Sequence, residues 1–256
     1  MVQFAKRYEL KDKAKDTLSG NYGTLILGGF LFSLIIFLVL FLFGFALFLS
    51  FLASLYTGGA YSMAALRIFQ FGCVIAHILS GFLGFGTACL CLKLACGQPA
   101  YYTDVFYGFQ RQNLLKTLLL TAIRLALGYV CRLPFDYFKA AISGAQDISS
   151  LWPALLACLA GCCIYIPIAL ALDVTYFLLL DFPDRKTAGI VSDSFRLMKG
   201  SRSRLFLLQL SFLPLRLLCL LTFGVGELWL EPYMHMTYAM FYLDLINPKR
   251  TQTPSC

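Results

Sequence analysis

The chain has 256 residues, 59% of them hydrophobic and only 13% charged, with a formal net charge of +8 and a mean hydropathy of +0.75. Soluble domains carry about 25% charged residues, and no polar stretch here is long enough to make a separate soluble domain. The positive balance does not point to nucleic acid, because the basic residues sit beside apolar runs, where they set membrane orientation.

The first 23 residues, MVQFAKRYELKDKAKDTLSGNYG, are mixed in charge and amphipathic. The apolar run that follows exceeds the roughly 7–15 residues of a signal-peptide core, so it is expected to remain as a span. Six apolar stretches follow in chain order, near 24–51, 74–96, 114–133, 152–180, 205–226 and 227–246. Crossing a bilayer takes roughly 20 apolar residues as a helix, and no stretch shows the alternation of a barrel strand. The expected fold is a single all-α polytopic membrane domain over 1–256, with about six spans and a cytoplasmic tail at 247–256.

The first and second spans contain GGFLFS and GFLGFG (Gly81 to Gly86). Neither follows a strand, so close helix packing is a better reading than a nucleotide loop. The third span carries Arg124, on a stripe with Thr117, Thr121 and Gly128. The fourth carries Asp173, on a stripe with Tyr165, Ala169 and Tyr176, and a kink is expected near Pro167. The fifth carries Arg216, with Gln209 seven residues before it and Cys219 after it on the same face. The sixth holds Glu227, Glu231, Pro232, His235 and Asp244, and a full crossing, an interfacial course and a re-entrant one all stay open for it.

A charge at the bilayer centre costs about 2.5–3.5 kcal/mol on insertion scales, so it faces protein, water or a partner. Arg124, Asp173 and Arg216 lie roughly 12–17 Å from the inner ends of their helices, which allows one shared layer. Two positive charges and one negative would suit a carboxylate or phosphate. The alternative is a neutralised network that ties helices together. The basic segment 185–204, with Arg196, Lys199, Arg202 and Arg204, is suited to anionic headgroups of the inner leaflet, and enforcing topology would explain it as well.

Lys and Arg concentrate on one side of the spans. With the amino terminus inside, only Arg67, Arg132 and Lys139 fall outside, which predicts both termini in the cytoplasm. A weak repeat of about 90 residues relates LSGNYGTLIL from Leu18, GFQRQNLLKT from Gly108 and MKGSRSRLFL from Met198. A short amphipathic stretch precedes each copy, at 3–18, 102–109 and 188–199. The architecture suggested is three helical hairpins, each entered by a cytoplasmic interfacial helix. Chance alignment of apolar segments is the competing explanation.

The ten cysteines lie mostly in apolar runs without zinc spacing and are expected to pack as small hydrophobes. His77 and His235 are separate, and packing is expected of both. No metal, cofactor or catalytic residue is expected, since H-E-x-x-H, Walker A and G-x-S-x-G patterns are lacking.

The final third resembles the bacterial integral-membrane family called domain of unknown function family 975. The residues that carry the likeness are Leu197-Met198-Lys199-Gly200, Leu205-Phe206, Leu210-Ser211-Phe212, Gly224-Val225-Gly226, Leu228-Trp229-Leu230, Pro232-Tyr233, Thr237, Ala239 and Phe241-Tyr242. Ile166-Pro167, Tyr176, Asp181-Phe182-Pro183 and Leu18-Ser19-Gly20-Asn21-Tyr22 add to it. Ile168 departs from the family's glycine, and Pro214-Leu215-Arg216 stands where Ile-Gly-Trp is usual. The resemblance implies a multi-span protein of the bacterial cell membrane and no established activity. The leading expectation is non-enzymatic binding or transport of an anionic or amphipathic small molecule or lipid. A scaffold or accessory subunit with a membrane-protein partner is second, and an intramembrane enzyme third.

Overall fold

The computed structural model describes residues 2–57, 63–144, 152–222, 224–247 and 249–250. In chain order these form strand β1 (Val2–Gln3), helices α1 (Arg7–Leu18), α2 (Tyr22–Thr57) and α3 (Met63–Ala95), a 3-10 helix (Tyr102–Phe109), and α4 (Arg111–Gly144). Then come α5 (Trp152–Asp173), α6 (Thr175–Asp181), α7 (Thr187–Leu197), α8 (Arg202–Leu210), α9 (Leu213–Leu221), α10 (Glu227–Ile246) and β2 (Lys249–Arg250). Among the described residues, five stretches are long and apolar enough to cross a membrane: Tyr22–Tyr56, Met63–Ala95, Arg111–Phe138, Leu159–Asp181 and Arg202–Leu221. The chain is an all-α polytopic membrane protein. The expected sixth stretch does form a helix, α10, but it is not among these five.

The residues form two compact units, Met1–Leu118 with Leu213–Cys256, and Leu119–Phe212. In the first unit α2 and α3 pack along each other, and the 3-10 helix seats on both. Glycine makes this approach feasible. Val105 is buried, and a Cβ on Gly86 would lie 1.8 Å from its carbonyl oxygen. A Cβ on Gly28 would lie 2.9 Å from its side chain, and one on Gly108 would lie 2.7 Å from the Phe82 carbonyl. Phe82 stacks on Phe109 at 4.9 Å between ring centres. Lys93 donates to Asp104 at 2.9 Å, which fixes the turn after α3. The amphipathic stretch at 102–109 thus packs one side on α2 and α3 while Tyr102, Phe106 and Phe109 stay exposed, and the close-packing reading of GFLGFG acquires its partner.

Helix α1 turns Leu10, Ala14 and Leu18 inward and packs against α10. The backbone N–H of Ala5 donates to Asp244 at 3.0 Å. Beyond it β1 pairs antiparallel with β2, with Val2 opposite Arg250. Helix α10 also lies against α2 and α3, and buries Leu230, Pro232, Met234, Met236, Thr237, Ala239, Phe241, Tyr242 and Leu245.

In the second unit α5 packs with α6, α7 and α8. Pro167 sits inside α5, and the chain breaks helix further on, at Val174. The expected single run at 205–226 is likewise divided, because Ser211 and Phe212 turn out of helix between α8 and α9. Pro214 explains this: it lacks an N–H and its ring clashes with the carbonyl four residues earlier. The freed groups close a tighter turn, in which the Phe212 N–H donates to Gln209 O at 3.0 Å.

The repeat has a local structural counterpart. Gly20 and Gly200, which hold the same place in its first and third copies, turn the chain at φ +91 and +86 before α2 and α8. A left-handed residue there closes the end of the preceding helix, α1 or α7. Gln110 holds that place in the middle copy with an ordinary φ of −64. Among the described cysteines, Cys89, Cys91 and Cys219 are buried, whereas Cys73 and Cys96 are exposed, so packing does not account for all of them.

Candidate functional site

The second unit gathers four polar side chains from apolar helices. Arg124 on α4 donates through Nη2 to Asp173 Oδ1 at 2.9 Å and through Nη1 to the carbonyl of Leu172 at 3.0 Å. Gln209 on α8 donates to the other carboxylate oxygen of Asp173 at 3.1 Å. The ring of Tyr176 lies under the guanidinium, 4.9 Å from its carbon, a distance at which the ring quadrupole attracts a cation. The break at Val174 supports the arrangement. The Leu172 carbonyl beside it accepts from Thr175 Oγ1 as well as from Arg124.

Both carboxylate oxygens of Asp173 are thus engaged, Arg124 donates to two oxygens, and within the unit the charges of the pair balance one to one. Yet the cluster is not sealed. The side chains of Arg124 and Asp173 remain 29% and 38% exposed, although both helices are apolar enough to span. Thr117 and Thr121, on the same stripe of the sequence as Arg124, are buried.

Arg124 and Asp173 thus meet as expected. Arg216 belongs to the first unit, on α9, with its side chain exposed. Its electrostatic neighbours there include Glu231 and His235 of α10. Gln209 was aligned in sequence with Arg216 and instead holds Asp173. The seven-residue spacing between Gln209 and Arg216 assumes one unbroken helix, whereas Ser211 and Phe212 lie outside helix between α8 and α9. A glutamine inside an apolar run was the available signal. Its removal, Gln209→Leu, is expected to lower stability by about 1 kcal/mol, as one membrane-depth hydrogen bond to a carboxylate is lost. Thermal unfolding in detergent measures this, and an unchanged midpoint would show that the contact holds nothing.

The four headgroup candidates also lie in the second unit. Arg196 and Lys199 are exposed, on α7 and in the turn after it, while Arg202 and Arg204 start α8 half-buried. His77 is exposed rather than packed, and His235 meets Tyr238 edge-on at 6.4 Å. Among the described residues no three His, Cys, Asp or Glu side chains gather in a geometry that would hold a metal.

The class is now defined: a polytopic helical membrane protein with a polar cluster among its spans. Residues 145–249 match the model of the family described as "Protein of unknown function (DUF975)". This is the family that the residues around 165–242 resemble, and both helices Arg124 contacts through side chain or backbone, α5 and α6, lie inside the match. Neither the curated proteins nor the solved structures include a match to the chain.

Proposed function

We propose that this chain is a non-enzymatic membrane protein that binds or moves an anionic or amphipathic small molecule or lipid, with the polar end of that molecule held at Arg124, Asp173, Gln209 and Tyr176. The observation that carries this reading is the exposure of an ion pair within two spans. A charge facing hydrocarbon costs about 2.5–3.5 kcal/mol on insertion scales. A pair left partly open in a span therefore calls for a polar neighbour at the opening. Arginine has five N–H donors in a fixed fork, and its bonds to Leu172 and Asp173 use two of them. The others suit a phosphate or carboxylate oxygen. Tyr176 and the flanking apolar side chains suit the less polar part of the same molecule. The test is retention of such a molecule through purification when the pair is replaced by leucines.

The proposed setting is the bacterial cell membrane, with both termini in the cytoplasm. The pairing of β1 with β2 supports common sidedness, which requires an even number of crossings. Five apolar candidates make an odd number, and α10 supplies the sixth. It has 20 residues, roughly 30 Å of helix, and it packs along α2 and α3. The excess of Lys and Arg puts the shared side inside. In a cysteine-free background, Lys6→Cys and Arg250→Cys are expected to resist an impermeant thiol reagent in intact cells, whereas Arg67→Cys is expected to react. Opposite labelling of positions 6 and 250 would overturn this topology.

A further inference from the structure

We infer that the elbow between α7 and α8 is a docking site for the phosphate of an anionic phospholipid in the leaflet it faces. This site is separate from the Arg124 cluster and does not depend on it. An open groove of about 400 Å³ is lined by Ser192, Phe195, Arg196, Lys199, Gly200 and Arg202. Three of these six are cations and none is an acid. The one acid on α7, Asp193, is taken up by Arg185 in an ion pair, so it does not neutralise the groove. Among the described residues, no carboxylate pairs with Arg196, Lys199 or Arg202.

The groove is also shaped. The guanidinium carbon of Arg202 lies 5.5 Å from the centre of the Phe195 ring, close enough for the ring to attract the cation. A guanidinium is planar and can offer two parallel donors to a phosphate. Its Nε is buried without a hydrogen-bond partner, a donor still to be satisfied. Gly200 at φ +86 reverses the chain so that Arg196 near the end of α7, Lys199 in the turn and Arg202 at the start of α8 line one hollow. Serine 192 adds a hydroxyl on the α7 side.

Depth selects a lipid over a free ion. Helix α7 buries Ile190 and Ser194 and leaves Arg196 exposed, the pattern of a helix lying in the interface. Arg202 begins a stretch apolar enough to span, and Phe206, Leu207 and Leu210 are exposed just beyond it. A phosphate in the groove would thus have its acyl chains running along α8. Cations near an anionic surface contribute about 1 kcal/mol each, which is about fivefold in affinity per residue and roughly a hundredfold for three.

The test uses the full chain in mild detergent, titrated with phosphatidylglycerol or phosphatidylcholine of identical acyl chains and followed by native mass spectrometry. The wild type is expected to bind phosphatidylglycerol preferentially. The triple variant Arg196→Gln, Lys199→Gln, Arg202→Gln is expected to lose roughly a hundredfold. A control triple, Lys6→Gln, Arg7→Gln, Lys13→Gln, removes equal charge elsewhere and is expected to bind like the wild type. Arg202→Lys keeps the charge without the planar fork and is expected to fall between them, which preserves a readout if the triple fails to fold. Equal losses in both triples would reduce the effect to diffuse charge and overturn the site. Equal binding of the two lipids would also overturn it. Displacement by inorganic phosphate beyond that caused by chloride at matched ionic strength would assign the groove to a free ion instead.

Discussion

Gly86→Val is expected to destabilise the first unit by about 3 kcal/mol or more, the largest effect of any single change considered. A Cβ at that position would stand 1.8 Å from the Val105 carbonyl oxygen and 2.3 Å from its carbon. These are backbone atoms, so no rotamer relieves the clash. Overpacking a core costs about 1–3 kcal/mol when side chains can adjust. Here the whole 3-10 helix must lift from α2 and α3, which breaks the Phe82–Phe109 stack and the Lys93–Asp104 bond. The contrasting change is Gly128→Ala on α4, where an added Cβ meets nothing within 4 Å. Alanine is the better helix former by up to about 1 kcal/mol, so that variant is expected to hold or gain stability. Thermal unfolding of the two variants in the same detergent separates the outcomes. Equal midpoints would contradict the packing described for Gly86.

Arg124→Leu is expected to cost about 3 kcal/mol, and Arg124→Leu with Asp173→Leu to return to within about 1 kcal/mol of the wild type. Breaking a buried pair strands the remaining charge, at about 3–5 kcal/mol, whereas replacing both partners by apolar groups is often neutral. The lower end applies because both side chains are partly exposed. Gln209 and Tyr176 lose their anchors in the double variant without leaving a charge behind. Asp173→Leu alone completes the double-mutant cycle, and additive losses would mean that the contact carries no coupling. The double variant is then a folded protein without the polar cluster, which separates a stability role from a binding one.

The parts of the fold that were legible in the sequence are those governed by hydropathy. Five long apolar runs became five long apolar helical stretches, because a helix that faces lipid advertises itself residue by residue. Helix α10 was harder to read for the opposite reason. It packs against α1, α2 and α3, so it can carry Glu231 and Asp244 half-buried, while His235 stays exposed. The Arg124–Asp173 pairing was legible from depth along each helix and from the cost of a lone charge. The bond from Gln209 to Asp173 left no periodic signal, since the run from Leu205 leaves helix at Ser211 and Phe212, ahead of Pro214. Gly86 announced close packing, but its partner, a 3-10 helix nineteen residues later in the chain, leaves no periodic signal. The Val174 break also escaped a reading that looked to Pro167, as nothing in a Leu-Asp-Val-Thr sequence marks it.

The Arg124–Asp173 cluster is proposed to hold the polar end of a bound molecule. Native mass spectrometry of protein released from membranes in mild detergent tests it most directly. The comparison is between the Arg196→Gln, Lys199→Gln, Arg202→Gln background alone and the same background with Arg124→Leu and Asp173→Leu, so that lipid in the α7–α8 groove does not contribute. An anionic or amphipathic molecule is expected to be carried through with the first and lost from the second, both folded. Equal retention by the two, or a stoichiometric protein partner in place of any small molecule, would contradict it.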